Sequence, residues 1–431
     1  NSDTVDKVMN NPQLLDLARR PVMSDLILEA LPDIEAGKPV DMSRVYLYAV
    51  RRKMERDIKS ERTFTSLADK MYFLCEIAWE MLSTDKMSLN YKLFPDRIRR
   101  LFGSIVQEQN DLDHWHYDMM GQTMLIRNAN GDYTPAHRSL LEFFVAYKFA
   151  AELGVLAQDF LEVVQPHCLY IDKNAAPQEY TWSEYCQLQV EKQNKNHLIA
   201  PLQGFKSEPL EKLRETVGKA PLAKAVLDLL VGMVDRGSCS ERLLQVIEST
   251  KGKSEGDVGY VGGNAATLLV KVDNCAIEDR DLTDTVVLGA DFSNVVLRNV
   301  NFAKANLNNS VFTNTLSIVL SVAISPDGKI FATGEANGVI RLWRLVDTKQ
   351  ISFFKAHSDW VRTIAFSNNG KILASGSADR TIKLWDLSTG KHLKTLHFHT
   401  NILRSVRFNP YDTILISCGS DSKTFVVFGD V

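Results

Sequence analysis

Apolar residues recur at helical spacing over roughly the first 250 positions of the chain, with short polar turns between the clusters. One helix is predicted to begin at Pro21, because a first helical turn leaves the missing proline N–H unused, and to end at Pro32. Another is predicted to begin near Asp41, a residue type that caps helices. Residues 1–62 are therefore predicted to form a helical domain.

Residues 63–153 combine three predicted helices with a hairpin, which is the pattern of a winged helix. These helices are predicted to start near Ser66, Pro95 and Asp111. The polar turn from Asn128 to Gly131 then joins two short strands. An amphipathic helix follows His137, whose imidazole at a helix start could donate a hydrogen bond to an anion. From the chemistry alone, a structural histidine is the commoner interpretation of this position.

Residues 154–255 are predicted to form a second helical domain that contains no chemical constellation. The run Lys251-Gly-Lys-Ser254 is not a phosphate-binding loop, because Ile247 stands where that motif needs its first glycine. A group of glycines, Gly259, Gly262 and Gly263, marks the end of this region.

A strict period of five then appears, and the central residues are Ile277, Leu282, Val287, Phe292, Leu297, Phe302, Leu307 and Phe312. Neither a helix nor a flat strand has this period, whereas a square coil with one repeat on each side does. The pattern resembles the pentapeptide-repeat family. It predicts that residues 256–314 form a right-handed quadrilateral β-helix of about two coils, with the residues two positions earlier also pointing inward. Arg280 and Thr285 depart from the usual small residue in the first coil.

From about residue 315 the period becomes about 42, and three segments correspond: Val322–Gly328, Ile364–Gly370 and Val406–Pro410. This resembles the WD-repeat family of β-propellers. The second copy carries the structural tetrad of that family, His357, Ser375, Asp379 and Trp385. The first copy has Asn337 in place of the aspartate, and the last is predicted to have Phe428 in place of the tryptophan. Residues 315–431 are predicted to supply about three blades of an incomplete propeller, since propellers close with four to eight. We expect the remaining blades beyond Val431 or in another chain.

Composition excludes several classes of function. The net charge of −3 gives no electrostatic footprint for nucleic acid or an anionic membrane, and no apolar run is long enough to span a bilayer. The six cysteines form no Cys-x-x-Cys pair, which argues against zinc and for free thiols in the cytoplasm. His114 and His116 lack partners for a metal, and the helix near Asp111 has no Arg or Lys for DNA.

The N-terminal 155 residues resemble the part of a NACHT-type signalling NTPase that follows its nucleotide-binding domain. This STAND class includes animal NOD-like receptors. The resemblance rests on Arg19-Arg20-Pro21, the predicted winged helix and the run from Tyr133 to Ala146. It implies that Pro21 packs on a bound nucleotide and that His137 contacts the β-phosphate of ADP, holding a closed state. Pro135 departs from the family, which usually has an aromatic or aliphatic residue there.

Bacterial members of this class, notably cyanobacterial ones, often combine such helices with pentapeptide and WD repeats. The resemblance therefore implies a multidomain α+β protein with a role in bacterial defence or signalling. ATP or ADP with magnesium would bind the intact protein, an ATPase, and not this chain alone. A protein ligand would bind the propeller, the protomers would self-associate on activation, and neither a membrane nor nucleic acid is expected as a partner.

The chain itself contains no Gly-x-x-x-x-Gly-Lys-Ser/Thr and no catalytic motif. We expect the NTPase domain and an effector upstream of Asn1. The alternative is a non-enzymatic interaction scaffold, in which pentapeptide coils and blades bind partners and the helices only support them. A stand-alone hydrolase is a poor third hypothesis, because Ser139 has no evident paired base.

Overall fold

A computed structural model describes most of the chain. The described residues are 21–59, 66–103, 106, 112–114, 116, 124–165, 171–172, 174–192, 198–293, 295–312, 317–348, 350–421 and 424–428. They belong to two compact units, Asn1–Phe312 and Thr313–Val431.

The first unit begins with helices and a small sheet. These elements are α1 (Pro21–Glu35), α2 (Met42–Lys59), α3 (Leu67–Ser83), β1 (Leu89–Asn90), α4 (Phe94–Phe102), β2 (Leu125–Arg127), β3 (Asp132–Pro135) and α5 (Arg138–Glu152). The prediction that Pro32 ends the first helix was wrong, because α1 continues to Glu35 with Pro32 inside its last turns. A proline lacks one backbone N–H and so removes one hydrogen bond of the helix. Close to the helix end, this loss does not prevent the next three residues from adopting helical conformation.

The predicted hairpin is present. β2 and β3 pair in antiparallel register, Gly131 takes a positive φ in the turn, and β1 joins the other edge of β3. Capping residues explain where the helices begin: Ser66 and Asp69 form a capping box at the start of α3. Most of the helix predicted near Asp111 lies outside the described residues, so the winged helix remains a prediction.

The chain continues with shorter elements. They are α6 (Gln158–Leu161), β4 (Gln178–Tyr180), α7 (Trp182–Lys192), β5 (Leu202–Phe205), α8 (Leu210–Glu215), α9 (Lys224–Met233), α10 (Cys239–Glu248), α11 (Glu255–Val258) and α12 (Val261–Val272). The region was predicted to consist of helices separated by polar loops, and the parallel pair β4 and β5 was not predicted. Ser254, in the run that imitates a phosphate-binding loop, instead caps α11 with Asp257.

One continuous hydrophobic core runs through the first unit, from Leu26 in α1 to the coil residue Val295. Aromatic rings occupy its centre, and Trp182 makes edge contacts with Tyr72, Tyr147 and Phe205. The predicted boundaries at 62, 153 and 255 therefore fall within one packed body, and they stay predictions.

The coil has twenty residues per turn, as the period of five predicts for a square. Parallel bridges join positions twenty apart, Asp281 with Asn301, Val286 with Asn306 and Asp291 with Val311. Phe292 stacks on Phe312 across one such step, with ring centroids 5.0 Å apart. One residue on most sides takes a φ between 54° and 64°: Asp279, Asp284, Gly289, Asn299, Lys304 and Asn309. Asp, Asn and Gly are the types that adopt this conformation most easily.

The inward-pointing set is incomplete at its start. Cys275 and Arg280 are exposed, which corrects the expectation that both residue sets of every repeat face inward. Thr285 and Ala290 are fully buried. The first regular side therefore begins after Arg280, because residues 274–279 form turns that connect α12 to the coil.

Helix α12 lies directly on the edge of the first coil. The approach is so close that a Cβ added at Gly263 would lie 1.7 Å from the carbonyl oxygen of Leu288. Two threonine hydroxyls complete the contact by accepting coil N–H groups: Thr267 from Asp291 at 3.0 Å and Thr250 from Val286 at 3.0 Å. The helices thus satisfy an edge that a parallel coil would otherwise leave unpaired.

The second unit consists of antiparallel sheets. The first repeat sheet contains β6 (Val319–Ile324), β7 (Ile330–Glu335), β8 (Val339–Arg344) and β9 (Gln350–Lys355). The second contains β10 (Val361–Phe366), β11 (Ile372–Ser377), β12 (Ile382–Asp386) and β13 (His392–Leu396). The third contains β14 (Leu403–Phe408), β15 (Ile414–Gly419) and β16 (Thr424–Phe428).

Apolar residues at equivalent positions fill the space between successive sheets. Val361 of β10 and Leu403 of β14 are both fully buried, each against the preceding sheet. On β6 the residue equivalent to Val361 is Val319, which is 42% exposed, and Val322 on the same strand is 60% exposed. The same sequence position is therefore core in two repeats and surface in the first.

Candidate functional site

His137 caps the N-terminus of α5. Its backbone is extended, and its Nδ1 accepts a hydrogen bond from the N–H of Ser139 at 3.1 Å. The Ser139 hydroxyl also lies 2.6 Å from Nδ1. Since Nδ1 accepts, the neutral ring carries its proton on Nε2. The half-buried imidazole therefore presents a donor at the end away from the helix.

Pro21, the other residue expected to contact a nucleotide, begins α1, but its side chain lies outside the described part of the structure. The structure therefore does not test whether Pro21 and His137 lie at one nucleotide site. Three clefts of about 520, 640 and 710 Å³ occur in the first unit. Among the described residues, His137 lines none of these three clefts.

The far end of α5 carries a buried charge cluster. Lys148 forms ion pairs with Glu152 at 2.9 Å and with Glu76 of α3. Burial lowers the pKa of Lys148, but the two neighbouring carboxylates outweigh it, and the pKa is raised. Burial raises the pKa of the Glu152 carboxyl against the opposing effect of Lys148. One helix thus links the His137 cap to a desolvated ionic contact with the preceding helices.

Within the described residues, no group of three or more His, Cys, Asp or Glu side chains is placed to hold a metal ion. The cysteines there are unbridged, and Cys75, Cys186 and Cys239 are buried. No described helix is both long and apolar enough to cross a membrane.

The four predicted tetrad residues of the second repeat sheet are connected in series. His357 Nδ1 lies 2.9 Å from Asp379 Oδ2, and its Nε2 lies 2.8 Å from Ser375 Oγ. The indole N–H of Trp385 donates to the same Ser375 hydroxyl at 3.0 Å. These contacts tie β11 and β12 to the segment before β10, so they hold the sheet together and do not form an open site.

The third repeat sheet shares part of this network, which the sequence prediction did not include. His399 lies 3.1 Å from Asp421 and 2.9 Å from the Ser417 hydroxyl. The spacing of 42 residues from Ser375 and Asp379 could have identified Ser417 and Asp421. The substitution of the tryptophan was assigned to the wrong residue. Val427 pairs with Leu415, as Trp385 pairs with Leu373, so Val427 and not Phe428 takes that position.

The first repeat sheet replaces the tetrad with a buried ion pair. Arg341 and Glu335 form this pair with no exposure of either side chain, and Arg341 also donates to Gln350 at 2.9 Å. Trp343 keeps its bond, donating to Thr333 at 3.0 Å. The sequence pattern did not point to Glu335, because the pair of Glu335 and Arg341 occurs in the first repeat and has no counterpart in the other two.

We expect Asp379→Asn to destabilise the second unit by about 2 kcal/mol at pH 7, because a charged acceptor is lost. Burial raises the pKa of Asp379, but the hydrogen bonds with His357 and Thr381 lower it by a larger amount, so the net shift of the pKa is downward. A carboxyl group whose pKa is lowered by folding stabilises the native state fully at pH values above its unfolded pKa near 4. This stabilisation is lost progressively as the pH falls from there towards the folded pKa. Urea unfolding at pH 7 and pH 3 should therefore show a difference that shrinks in acid. The exposed Asp347→Asn serves as control, and a difference that is equal at both pH values would contradict the prediction.

Comparison with known proteins agrees with these repeats. The family profile for the WD domain, G-beta repeat, matches residues 308–344, 348–386 and 390–428. The profile for pentapeptide repeats (8 copies) matches residues 281–314. The chain carries WD repeats and pentapeptide repeats. Both repeat predictions are thereby confirmed, and together the two arrays indicate a module for protein–protein interaction.

Two relatives are WD repeat-containing proteins, both described as uncharacterized, of Nostoc sp. (strain PCC 7120 / SAG 25.82 / UTEX 2576). The first is 63% identical over 360 residues, which cover 84% of this chain and 23% of the relative. The second is 34% identical over 160 residues, which cover 37% of this chain and 12% of the relative. The chain therefore spans less than a quarter of either relative.

Proposed function

We propose that this chain is the sensor and regulatory portion of a STAND-type signalling protein that is switched by ATP and ADP. The repeats bind a protein trigger, and the predicted winged helix holds the ADP-bound closed state. Activation leads to self-association in the cytoplasm. The proposal is supported by the order of helices, hairpin, pentapeptide coil and WD repeats, and above all by the hydrogen bonding of His137.

The cap at α5 fits the chemistry of a phosphate contact. Because Nδ1 accepts the Ser139 N–H, Nε2 carries the ring proton and can donate to an anion. The start of a helix adds a favourable partial positive charge. The nucleotide, when bound with magnesium to its own domain, supplies the phosphate oxygen that this donor needs. His137 would hold it, and Pro21 would pack against it.

The packing of α5 supports transmission from the pentapeptide coil to His137. Buried residues line almost the whole helix, which packs against α3 and α9. The same core continues into the coil. A trigger that binds the open state more tightly would therefore shift a whole packed body and not a loose segment. The free-energy gap between the states must be a few kcal/mol for one ligand to reverse it.

A pair of variants separates the capping role of His137 from the phosphate contact. The intact gene product is purified, and its bound nucleotide is measured by chromatography after denaturation. We expect close to one ADP per chain in the wild type and at least fivefold less in both His137→Ala and His137→Asn. Asparagine is a good N-cap, so His137→Asn keeps α5 stable but lacks the far ring donor. Self-association without trigger should accompany the loss of ADP.

The same experiment distinguishes the scaffold alternative. A His137→Asn protein that retains wild-type ADP would reduce the histidine to a helix cap. A reading frame upstream of Asn1 without Gly-x-x-x-x-Gly-Lys-Ser/Thr would remove the nucleotide switch altogether. The chain would then serve as an interaction scaffold, the function that the repeats alone indicate.

A further inference from the structure

Two arginines occupy equivalent positions on the first strands of the second and third repeat sheets, β10 and β14. Arg362 and Arg404 are 42 residues apart and each is the second residue of its strand. At both positions the ladder shifts register, between Val361 and Thr363 and between Leu403 and Ser405. An extra residue at such a bulge leaves the pairing and has its side chain redirected. We call these two residues the arginine pair.

The two strands that carry the arginine pair lie side by side. The N–H of Val406 in β14 donates to the Thr363 hydroxyl of β10 at 3.2 Å. Arg407 also donates to the carbonyl of Ile364. Thr363 and Ser405 directly follow the two arginines, so both bulges fall at the same end of neighbouring strands. The first repeat sheet has the same bulge with Leu320, so the charge is confined to two repeats.

The described part of the fold does not neutralise either guanidinium. Among the described residues, neither arginine has a carboxylate within ion-pair distance, although this unit contains many acidic side chains. Asp379 and Asp421, which lie in the nearby turns, are instead bound to His357 and His399. Two like charges on neighbouring strands raise the energy of the folded chain unless an anion approaches them.

A comparison of the two repeats shows that Arg362 is also short of hydrogen bonds. Arg404 Nε donates to the Ser420 hydroxyl at 2.8 Å. The equivalent residue in the second repeat is Ala378, since both make the same backbone bond, to Trp360 and to Ile402 respectively. Alanine has no acceptor, and Arg362 Nε is buried without a partner. Buried donors are normally hydrogen-bonded, so an unpaired one indicates a partner other than the described contacts.

Trp360 holds Arg362 in a fixed orientation. The guanidinium lies over the indole, with 4.9 Å between its central carbon and the ring centroid, while 44% of the tryptophan remains exposed. Stacking on an aromatic face leaves the two terminal NH2 groups of arginine free to donate in the guanidinium plane, and these match a carboxylate in a bidentate arrangement. The exposed indole beside them suits an apolar neighbour of that carboxylate.

We propose that the arginine pair, with Trp360, binds an acidic segment of a protein partner through the carboxylates of its Asp or Glu side chains. This inference rests on the proposed interaction function of the repeats and gives it a partner chemistry. Two separated cations fit two carboxylates on one extended segment. The site is preorganised by the bulges and by the indole, so little side-chain entropy is lost on binding.

The test uses the full chain and a fluorescein-labelled peptide of five Glu-Gly repeats, measured by anisotropy at 50 mM NaCl. The uncharged peptide of five Gln-Gly repeats has almost the same shape and serves as the matched ligand. We expect the acidic peptide to bind at least tenfold more tightly than its amide counterpart, and to weaken at 300 mM NaCl. Equal affinity of the two peptides would overturn the proposal.

Two double variants of equal charge change locate the site. Arg362→Gln with Arg404→Gln should weaken binding at least tenfold. Lys371→Gln with Lys394→Gln, which changes exposed residues of the second repeat sheet, should change it less than twofold. An equal loss of peptide binding in both double variants would indicate non-specific electrostatic attraction and would contradict the proposed site. Tighter binding of a ten-residue thymidine oligonucleotide than of the acidic peptide would replace the proposed partner with nucleic acid.

Thermal unfolding of each double variant shows that its fold is intact, and the single Arg404→Gln provides the milder change. The assay contains no nucleotide, so its failure leaves the proposed switch untouched. Equally, a failure of the His137 experiment leaves the peptide site standing.

Discussion

Replacing Gly263 by alanine is expected to detach α12 from the coil and to destabilise the first unit by more than about 4 kcal/mol. The new Cβ would lie 1.7 Å from the Leu288 carbonyl oxygen, a distance that no relaxation of side chains can relieve. The helix must withdraw, and the bonds from Thr267 and Thr250 to the coil N–H groups must then lengthen or break. Hydrogen exchange at Val286 and Asp291 measures this directly and should accelerate at least a hundredfold.

A second helical glycine supplies the control. Gly256 in α11 has 3.7 Å between an added Cβ and its nearest neighbour, the Ser254 hydroxyl. Gly256→Ala should therefore be neutral or should stabilise by up to about 1 kcal/mol, since alanine favours helices. If Gly263→Ala behaved like Gly256→Ala, the contact between helix and coil would not be what holds the first coil in place.

Lys148→Met is expected to destabilise the first unit by about 3–5 kcal/mol at pH 8, because it removes one partner from a buried charge network. Glu152 and Glu76 would then share a desolvated region without a cation. The carboxyl pKa of Glu152, which burial already raises, should rise further. A carboxyl with a raised folded pKa destabilises the native state at high pH and less so as the pH falls towards its unfolded value near 4.3. Part of the lost stability should return at pH 5.

An exposed ion pair of the same spacing serves for comparison. Lys224 and Asp228 are four residues apart on α9 and both are largely exposed. Lys224→Met should cost less than about 1 kcal/mol and should show no recovery in acid. Chemical unfolding at pH 8 and pH 5 compares the two variants, and a cost for Lys148→Met that does not change with pH would contradict the assignment of buried charge.

Sequence periodicity predicted the coil and the repeat sheets because each repeat imposes the same local geometry on the next. The positive φ in the coil could also have been predicted, since Asp284, Asn299 and Asn309 are separated by multiples of five residues. The capping residue Asp41 located the start of α2 for a similar reason, because its side chain accepts a hydrogen bond from a backbone N–H only three residues away.

Features that depend on distant partners could not be predicted. β4 and β5 are three and four residues long and pair across 24 positions, which leaves too little pattern to detect. The Lys148 and Glu152 spacing suggests a helix pair, but only the packing of α3 shows that it is buried. The predicted roles of Pro21 and His137 depend on groups outside this chain. The missing acceptor for Arg362 becomes evident only when two folded repeats are compared.

The equivalence of Val361 and Leu403 has an evolutionary consequence. The second and third sheets bury the same positions of their first strands against the sheet before them, so the contact is transferable from one copy to the next. Duplicating or deleting one length of 42 residues preserves both halves of the interface, whereas shorter insertions within a strand would shift the register. Repeat number can therefore change in whole steps at little cost to folding, and a recognition surface that spans neighbouring copies can be lengthened, shortened or reassorted by recombination alone.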